Sequence, residues 1–210
     1  MFDTSVFVNC PFDTEYAPLL EAILFCIVNS GLTARLANER LENGENRFDK
    51  IVEMARQCKY SIHDLSRCKS EEADEFLRMN MPFELGLDFG IRLASNELPS
   101  EKKFLIFEKE PYDLKRALSD LSGQDVEFHR NDYQNVIKKV RDFLKVEANL
   151  NIPGPALIRA QYETFQAWML ELKIHEGHSE REALQLPTRE RLEAMKAWVE
   201  TERPDSFVPV

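Results

Sequence analysis

Glu84 lies in the stretch MNMPFELGLDFG, residues 79–90, between a bulky apolar residue and a Leu-Gly pair. A carboxylate so placed can do two kinds of chemistry. It can attack an anomeric carbon as a nucleophile, or stabilise the positive charge of an oxocarbenium-like transition state. The same spacing allows a plainer reading. On a helical wheel Phe83, Gly86, Leu87, Gly90, Leu93 and Ala94 share one face, and Glu84, Asp88, Arg92 and Ser95 share the opposite, polar face. An acidic residue in the first turn then complements the helix dipole and faces water. Against it, Gly86 and Gly90, four residues apart, let the helix approach a sheet closely, at a strand edge where ligands bind. Periodicity favours the solvated carboxylate; position in the chain favours the reactive one.

Other residues gain interest by where they fall. Asn9 and Asp13 flank Pro11-Phe12 in a loop directly after an apolar run. Asp13 reads as an N-cap for the helix that follows, and Phe12 as an aromatic loop tip on which a base can stack. Asp64, with Ser66 and Arg67 just beyond it, ends a second apolar run and can hydrogen-bond ribose hydroxyls or close a turn. His63 alternates with Ile62 and Leu65, the pattern of a satisfied strand histidine. Arg35, Glu39 and Arg47 frame a polar loop and are candidate phosphate contacts or solvated charges. Arg78 to Met81, including Asn80, leads into the Glu84 helix. Cys10 reads as a small residue closing its strand.

These residues need elements to bring them together. SVFVNC (5–10), LTARLA (32–37), KYSIHDLS (59–66), KKFLIFE (102–108) and a weaker DVEFHR (125–130) read as strands. Helical spacing covers 17–29, 47–57, the Glu84 segment, 113–121 and 133–146. Continuous apolar strands alternating with helices predict a parallel sheet covered on both faces. The expected class is α/β, a flavodoxin-like doubly wound domain of five strands, with its sites at the carboxyl ends of the strands. NLNIPGP (149–155) marks a boundary between a domain at 1–148 and a C-terminal extension at 149–210. Helices at 156–173 and 188–200 make that extension a helical hairpin. Its stripe of Ile158, Tyr162, Phe165, Trp168, Met169 and Leu172 either packs on the main domain or forms a partner surface.

The totals exclude several classes. With 27 Lys and Arg against 37 Asp and Glu, the net charge of -10 argues against nucleic acid as a partner. The four Cys and four His form no metal-ligand spacing. With neither a signal peptide nor a long apolar segment in the sequence, a cytoplasmic protein without membrane contact is expected.

Taken in order, VFVNCPFD, NERLENGENR, YSIHDLSR and NMPFELGLDFG resemble the TIR-like and nucleoside 2-deoxyribosyltransferase-like superfamily, over roughly residues 5–146. VNCPFD looks like a variant of the transferases' A-G-P-x-F loop, and FELGLDFG matches their ELGYA-type helix start at Glu84. TIR domains that cleave NAD use a glutamate on the corresponding helix. The transferases' Asp-x-Gly segment is replaced here by a charged loop, and the Trp-Cys motif near the TIR glutamate is missing.

The resemblance implies cleavage or transfer at the N-glycosidic bond of a nucleotide or nucleoside, NAD first among the substrates, in a bacterial stress or antiphage effector. It gives Glu84 the catalytic role, Asp64 and Asn9 the ribose hydroxyls, Phe12 the base, and Arg35 or Arg47 the phosphate. Pro11, Asp13, Ser66, Asn80 and Asp88 complete the expected substrate-binding set. No metal or prosthetic group is implied. A homo-oligomer is, through the helical tail or the second loop. Two alternatives stay open: a non-catalytic nucleotide-sensing or protein-interaction module, and a deoxyribosyltransferase.

Overall fold

The computed structural model describes residues 2–37, 44, 46–67, 79–94 and 101–208. After a short 3-10 turn at Phe2–Thr4, the elements run β1 (Ser5–Asn9), α1 (Ala17–Asn29), β2 (Thr33–Leu36), α2 (Arg47–Gln57), β3 (Tyr60–Asp64) and α3 (Asn80–Ala94). There follow β4 (Lys103–Glu108), α4 (Asp113–Ala117), a 3-10 turn at Ser119–Leu121, β5 (Glu127–Phe128) and α5 (Tyr133–Glu147). The chain then runs through α6 (Pro155–His175), α7 (Glu180–Ala183) and α8 (Thr188–Glu200). The five strands form one sheet in the order β2-β1-β3-β4-β5, every pair parallel, which is the flavodoxin-like arrangement.

Every residue of β1 and β3 is buried, as central strands covered on both sides must be. Successive side chains alternate between two layers. Val6, Val8, Tyr60, Ile62, Leu105 and Phe107 join α1 and α5 in one core. Phe7 packs with α2, and Ile106 with α3. Asn46 starts α2 by accepting from the Phe48 amide, and Gly31, at φ +80°, follows α1 in the left-handed conformation that glycine adopts readily.

The C-terminal extension has no separate core. Ile158, Tyr162, Phe165, Trp168 and Met169 of α6 are buried in the α1 cluster, together with Met195 and Trp198 of α8. Phe25 of α1 lies with its ring centroid 5.3 Å from Tyr162, 5.5 Å from Phe165 and 5.7 Å from Trp198. Arg203 donates to the Asn29 side chain, and Arg191 pairs with Glu21. This explains why α1 is apolar around most of its circumference. It also removes the aromatic stripe as a partner surface: those rings already face α1. The expected hairpin additionally carries α7, opened by a capping box between Ser179 and Glu182.

Helix α3 corrects the reading of its periodicity. Its buried residues are Met81, Glu84, Leu85 and Asp88. Phe83 and Leu93 of the expected inner face are 61% and 78% exposed. The face rich in carboxylates is turned inward, because the strand beneath it is polar on that side: Ser61 and His63 of β3 point toward α3 while Tyr60 and Ile62 point toward α1. Gly86 and Gly90 are exposed, and a methyl group added at either meets nothing within 4 Å, so they permit no close approach here. Glu84 is the fifth helical residue and lies in the second turn, outside the dipole's reach at the first.

Candidate functional site

Asn9, the last residue of β1, ties the carboxyl edge together. Its amide nitrogen donates to the main-chain oxygen of Met81 at 3.1 Å and to His63 Nδ1 at 3.0 Å. It therefore spans from the first strand to the opening turn of α3, 72 residues later. Its Oδ1 is buried without a hydrogen-bond partner among the described residues. His63 in turn places Nε2 3.1 Å from Asp88 Oδ2, and the other Asp88 oxygen lies 3.0 Å from Lys102 Nζ. Lys102 is buried, and also donates to Ala55 O at 2.6 Å and Cys58 O at 2.5 Å. Burial by itself raises the Asp88 carboxyl. The hydrogen bond from His63, with the Lys102 ammonium, outweighs it and holds the group below the ordinary carboxylate range.

A second buried cluster closes the ends of β1, β3 and β5. Tyr16 Oη donates to Asp64 Oδ2 at 2.7 Å, His129 Nε2 lies 3.1 Å from the same oxygen, and the Ser66 amide donates to Oδ1 at 2.9 Å. Asp64 and His129 are fully enclosed. Burial, followed by the Asp64 charge, pushes the neighbouring Cys10 thiol well up and holds it neutral.

Glu84 differs from both clusters. It is 6% exposed, and among the described residues no group hydrogen-bonds its carboxylate. Burial raises it from 4.5 to about 7, against a smaller downward pull from Arg47 at the start of α2. Beside this pair Phe48 of α2 and Phe83 of α3 lie with ring centroids 5.9 Å apart, and both are exposed. The arrangement can hold a proton near neutral pH, or present a negative charge to a cation in a site with little water.

The structure thus gathers Asn9, Arg47 and Glu84 around the starts of α2 and α3, with Asn80 exposed as the first α3 residue. Phe12 is 38% exposed at its loop tip, next to buried Pro11. Four expectations change. Asp64 is closed off from a ribose, because Tyr16, His129 and the Ser66 amide already surround its oxygens. Asp88 is equally committed, to His63 and Lys102. Asp13 is occupied by the Tyr16 amide at 3.0 Å and by Arg67 at 2.8 Å, and it caps the turn before α1; the N-cap itself is Tyr16. Arg35 reaches Gln57 at the far end of α2, about 15 Å of helix away from Arg47. Ser66 contributes its amide to Asp64, and His63 is the satisfied strand histidine that its alternation implies. Glu39 and Arg78 lie outside the described residues.

Sequence reasoning missed Lys102, His129, Tyr16, Phe48 and Phe83. Lys102 reads locally as the polar start of a strand, and His129 as part of a weak one. Phe83 falls on the apolar face of a helical wheel that α3 inverts. The available signal was the polar alternation in YSIHD, which requires polar partners on the helix above. Among the described residues no cluster of His, Cys, Asp and Glu has the arrangement to hold a metal ion, and no helix is long and apolar enough to cross a membrane. Comparison with known proteins returns no match: no family model, no curated protein and no solved structure matches the chain.

Proposed function

We propose that the protein cleaves the N-glycosidic bond of a nucleotide, NAD being the first substrate to test, with Glu84 as the catalytic residue. The observation that carries this reading is a largely buried glutamate whose carboxylate has no hydrogen-bond donor among the described residues and is raised to about 7, at the carboxyl edge of a doubly wound sheet. The bond between the ribosyl anomeric carbon and nicotinamide breaks, and its electron pair leaves with the base. The ionised Glu84 stabilises the ribosyl cation; water then adds at the anomeric carbon and loses a proton, giving ADP-ribose. Asn9 Oδ1 would accept a ribose hydroxyl, Arg47 would meet phosphate, and Phe12 or the Phe48–Phe83 pair would stack on a base. Family resemblance adds a cytoplasmic defence role and a homo-oligomer to this reading.

Turnover in this scheme needs the carboxylate form, so it rises with pH through about 7 and levels above it. The test is nicotinamide release from NAD by the purified chain and by Glu84→Gln, each across pH 5–9. Release that follows this limb and disappears in the variant supports the proposal. Release that survives in the variant refutes the role of Glu84.

A second reading, a nucleotide-sensing module without turnover, is favoured by the commitment of Asp64 and Asp88 inside the fold, which leaves few groups to grip a ribose. It predicts nucleotide binding that survives in Glu84→Gln, with no nicotinamide released by either protein. A deoxyribosyltransferase would instead require an added free base and release little sugar.

A further inference from the structure

At the opposite, amino edge of the sheet a cavity of about 500 Å³ is lined by Lys59, Arg92, Glu101, Lys102, Lys103 and Glu147. Its size falls within the range of small-molecule sites, roughly 300–1,000 Å³. In a chain of net charge -10 it gathers, among the described residues, four cations against two carboxylates. Three of the cations are answered within the fold. Lys59 lies 2.8 Å from Asp3 and 3.2 Å from Glu101, Lys103 lies 3.2 Å from Glu147, and Lys102 is held under the cavity by Asp88 and two main-chain oxygens.

Arg92, in the last turn of α3, is not. Its guanidinium carbon lies 4.8 Å from the Phe104 ring centroid and 5.0 Å from that of Phe89. Among the described residues no carboxylate and no hydrogen-bond acceptor meets it. Aromatic rings occupy the face of a guanidinium and leave its N–H edge open. A planar fork held on two rings, in a cavity whose two carboxylates are already paired, is half of a bidentate oxyanion site, with its side-chain entropy already reduced.

We propose that this cavity binds a small organic anion through phosphoryl or carboxylate oxygens, gripped by the Arg92 fork. Lys59 and Lys103 flank the anion and share their present carboxylate partners with it. The site is independent of any reaction at Glu84, yet connected to it. Arg92 follows Glu84 on the same helix by about 12 Å, and Lys102, forming one wall, pairs with Asp88 between them. Occupancy therefore bears on the helix that carries the candidate catalytic group.

The test titrates the full chain with inorganic phosphate and, separately, with succinate at low ionic strength, by calorimetry. Nuclear magnetic resonance of the arginine Nε–H signals follows the same titrations. Saturable binding is expected with at least one of the two, together with a shift of the Arg92 signal. Arg92→Gln should weaken it by about tenfold or more, since a charge-assisted pair is lost. Arg92→Lys, which keeps the charge and loses the fork, should fall between. The tighter probe identifies the oxyanion class. Two results would overturn the site: no saturable binding of either anion with a stationary Arg92 signal, or unchanged affinity in an Arg92→Gln protein that melts like the wild type.

Discussion

Glu84 and Asp88 stand one turn apart on α3, both face the sheet, and both are buried, yet their surroundings oppose each other. Asp88 meets His63 and Lys102 and is held below the ordinary carboxylate range; Glu84 meets no donor among the described residues and is pushed up to about 7. Asp64 belongs with Asp88, its oxygens met by Tyr16, His129 and the Ser66 amide. A fold that needs a buried acid surrounds it with donors, because an unpaired buried charge is expensive. Glu84 lacks that provision although donors were within the fold's reach a single turn later. Among the described residues, Asp64 and Asp88 are acids that organise the interior of the fold, and Glu84 is one left free to meet something else.

The largest effect should come from breaking the satisfied member. Asp88→Ala leaves the Lys102 ammonium buried without its carboxylate, and removal of one partner from a buried pair costs about 3–5 kcal/mol. Denaturant unfolding of Asp88→Ala checks this. A loss below about 1 kcal/mol would mean that the pair is hydrated and that the contrast with Glu84 is illusory. Lys102→Met, which removes the charge and keeps the stem, should also destabilise by stranding Asp88.

Glu84→Gln should act in the opposite direction. The folded-state value of about 7 lies above the unfolded value near 4.5, so the folded protein binds the extra proton between them. Stability is therefore fully present below about 4.5 and declines as pH rises through about 7. The ionised group removes on the order of 3 kcal/mol above that range. The neutral amide escapes this loss, so Glu84→Gln should be more stable than the wild type at pH 8 and indistinguishable at pH 4. Unfolding curves at the two pH values measure the difference; equal curves at pH 8 would mean that Glu84 is ordinarily solvated.

The sequence made the frame legible and the interior of the site much less so. The bounds of α1, α2 and α8 follow directly from apolar spacing and end signals, and the parallel sheet follows from apolar strands alternating with helices. Glu84 was legible as a candidate, but for a reason the structure changes. The helical wheel assumes that an inward face is apolar, whereas α3 lies over Ser61 and His63 and turns its acids toward them. A one-dimensional period records which residues share a face. It does not record which face the neighbouring layer accepts. Lys102 illustrates the same limit: its burial is set by the main-chain oxygens of Ala55 and Cys58 and by Asp88, none of them adjacent in sequence.

The inversion of α3 can be tested on its outer face. If Gly86 and Gly90 face water, alanine at either position gains helix propensity without a clash and should stabilise by about 0.5–1 kcal/mol. Thermal melts of Gly86→Ala and Gly90→Ala should shift upward together. Destabilisation by either would restore the glycine-in orientation, and with it a solvated Glu84.

The smallest effect sharpens the comparison most closely. Arg47 is exposed and is the one group among the described residues that draws Glu84 downward, whereas Asp88 is drawn down by the enclosed His63 and Lys102. An exposed charge contributes only about 0–1 kcal/mol, so Arg47→Gln should raise the Glu84 titration by less than about one pH unit. The acid limb of nicotinamide release, or the Glu84 side-chain carbon resonance where there is no turnover, would move up with it. Salt should shift the wild type the same way by screening Arg47, and should leave Arg47→Gln nearly unchanged. A limb that ignores both changes would mean that the carboxylate titrates against burial alone. Arg47 would then be free to serve a bound anion instead of Glu84.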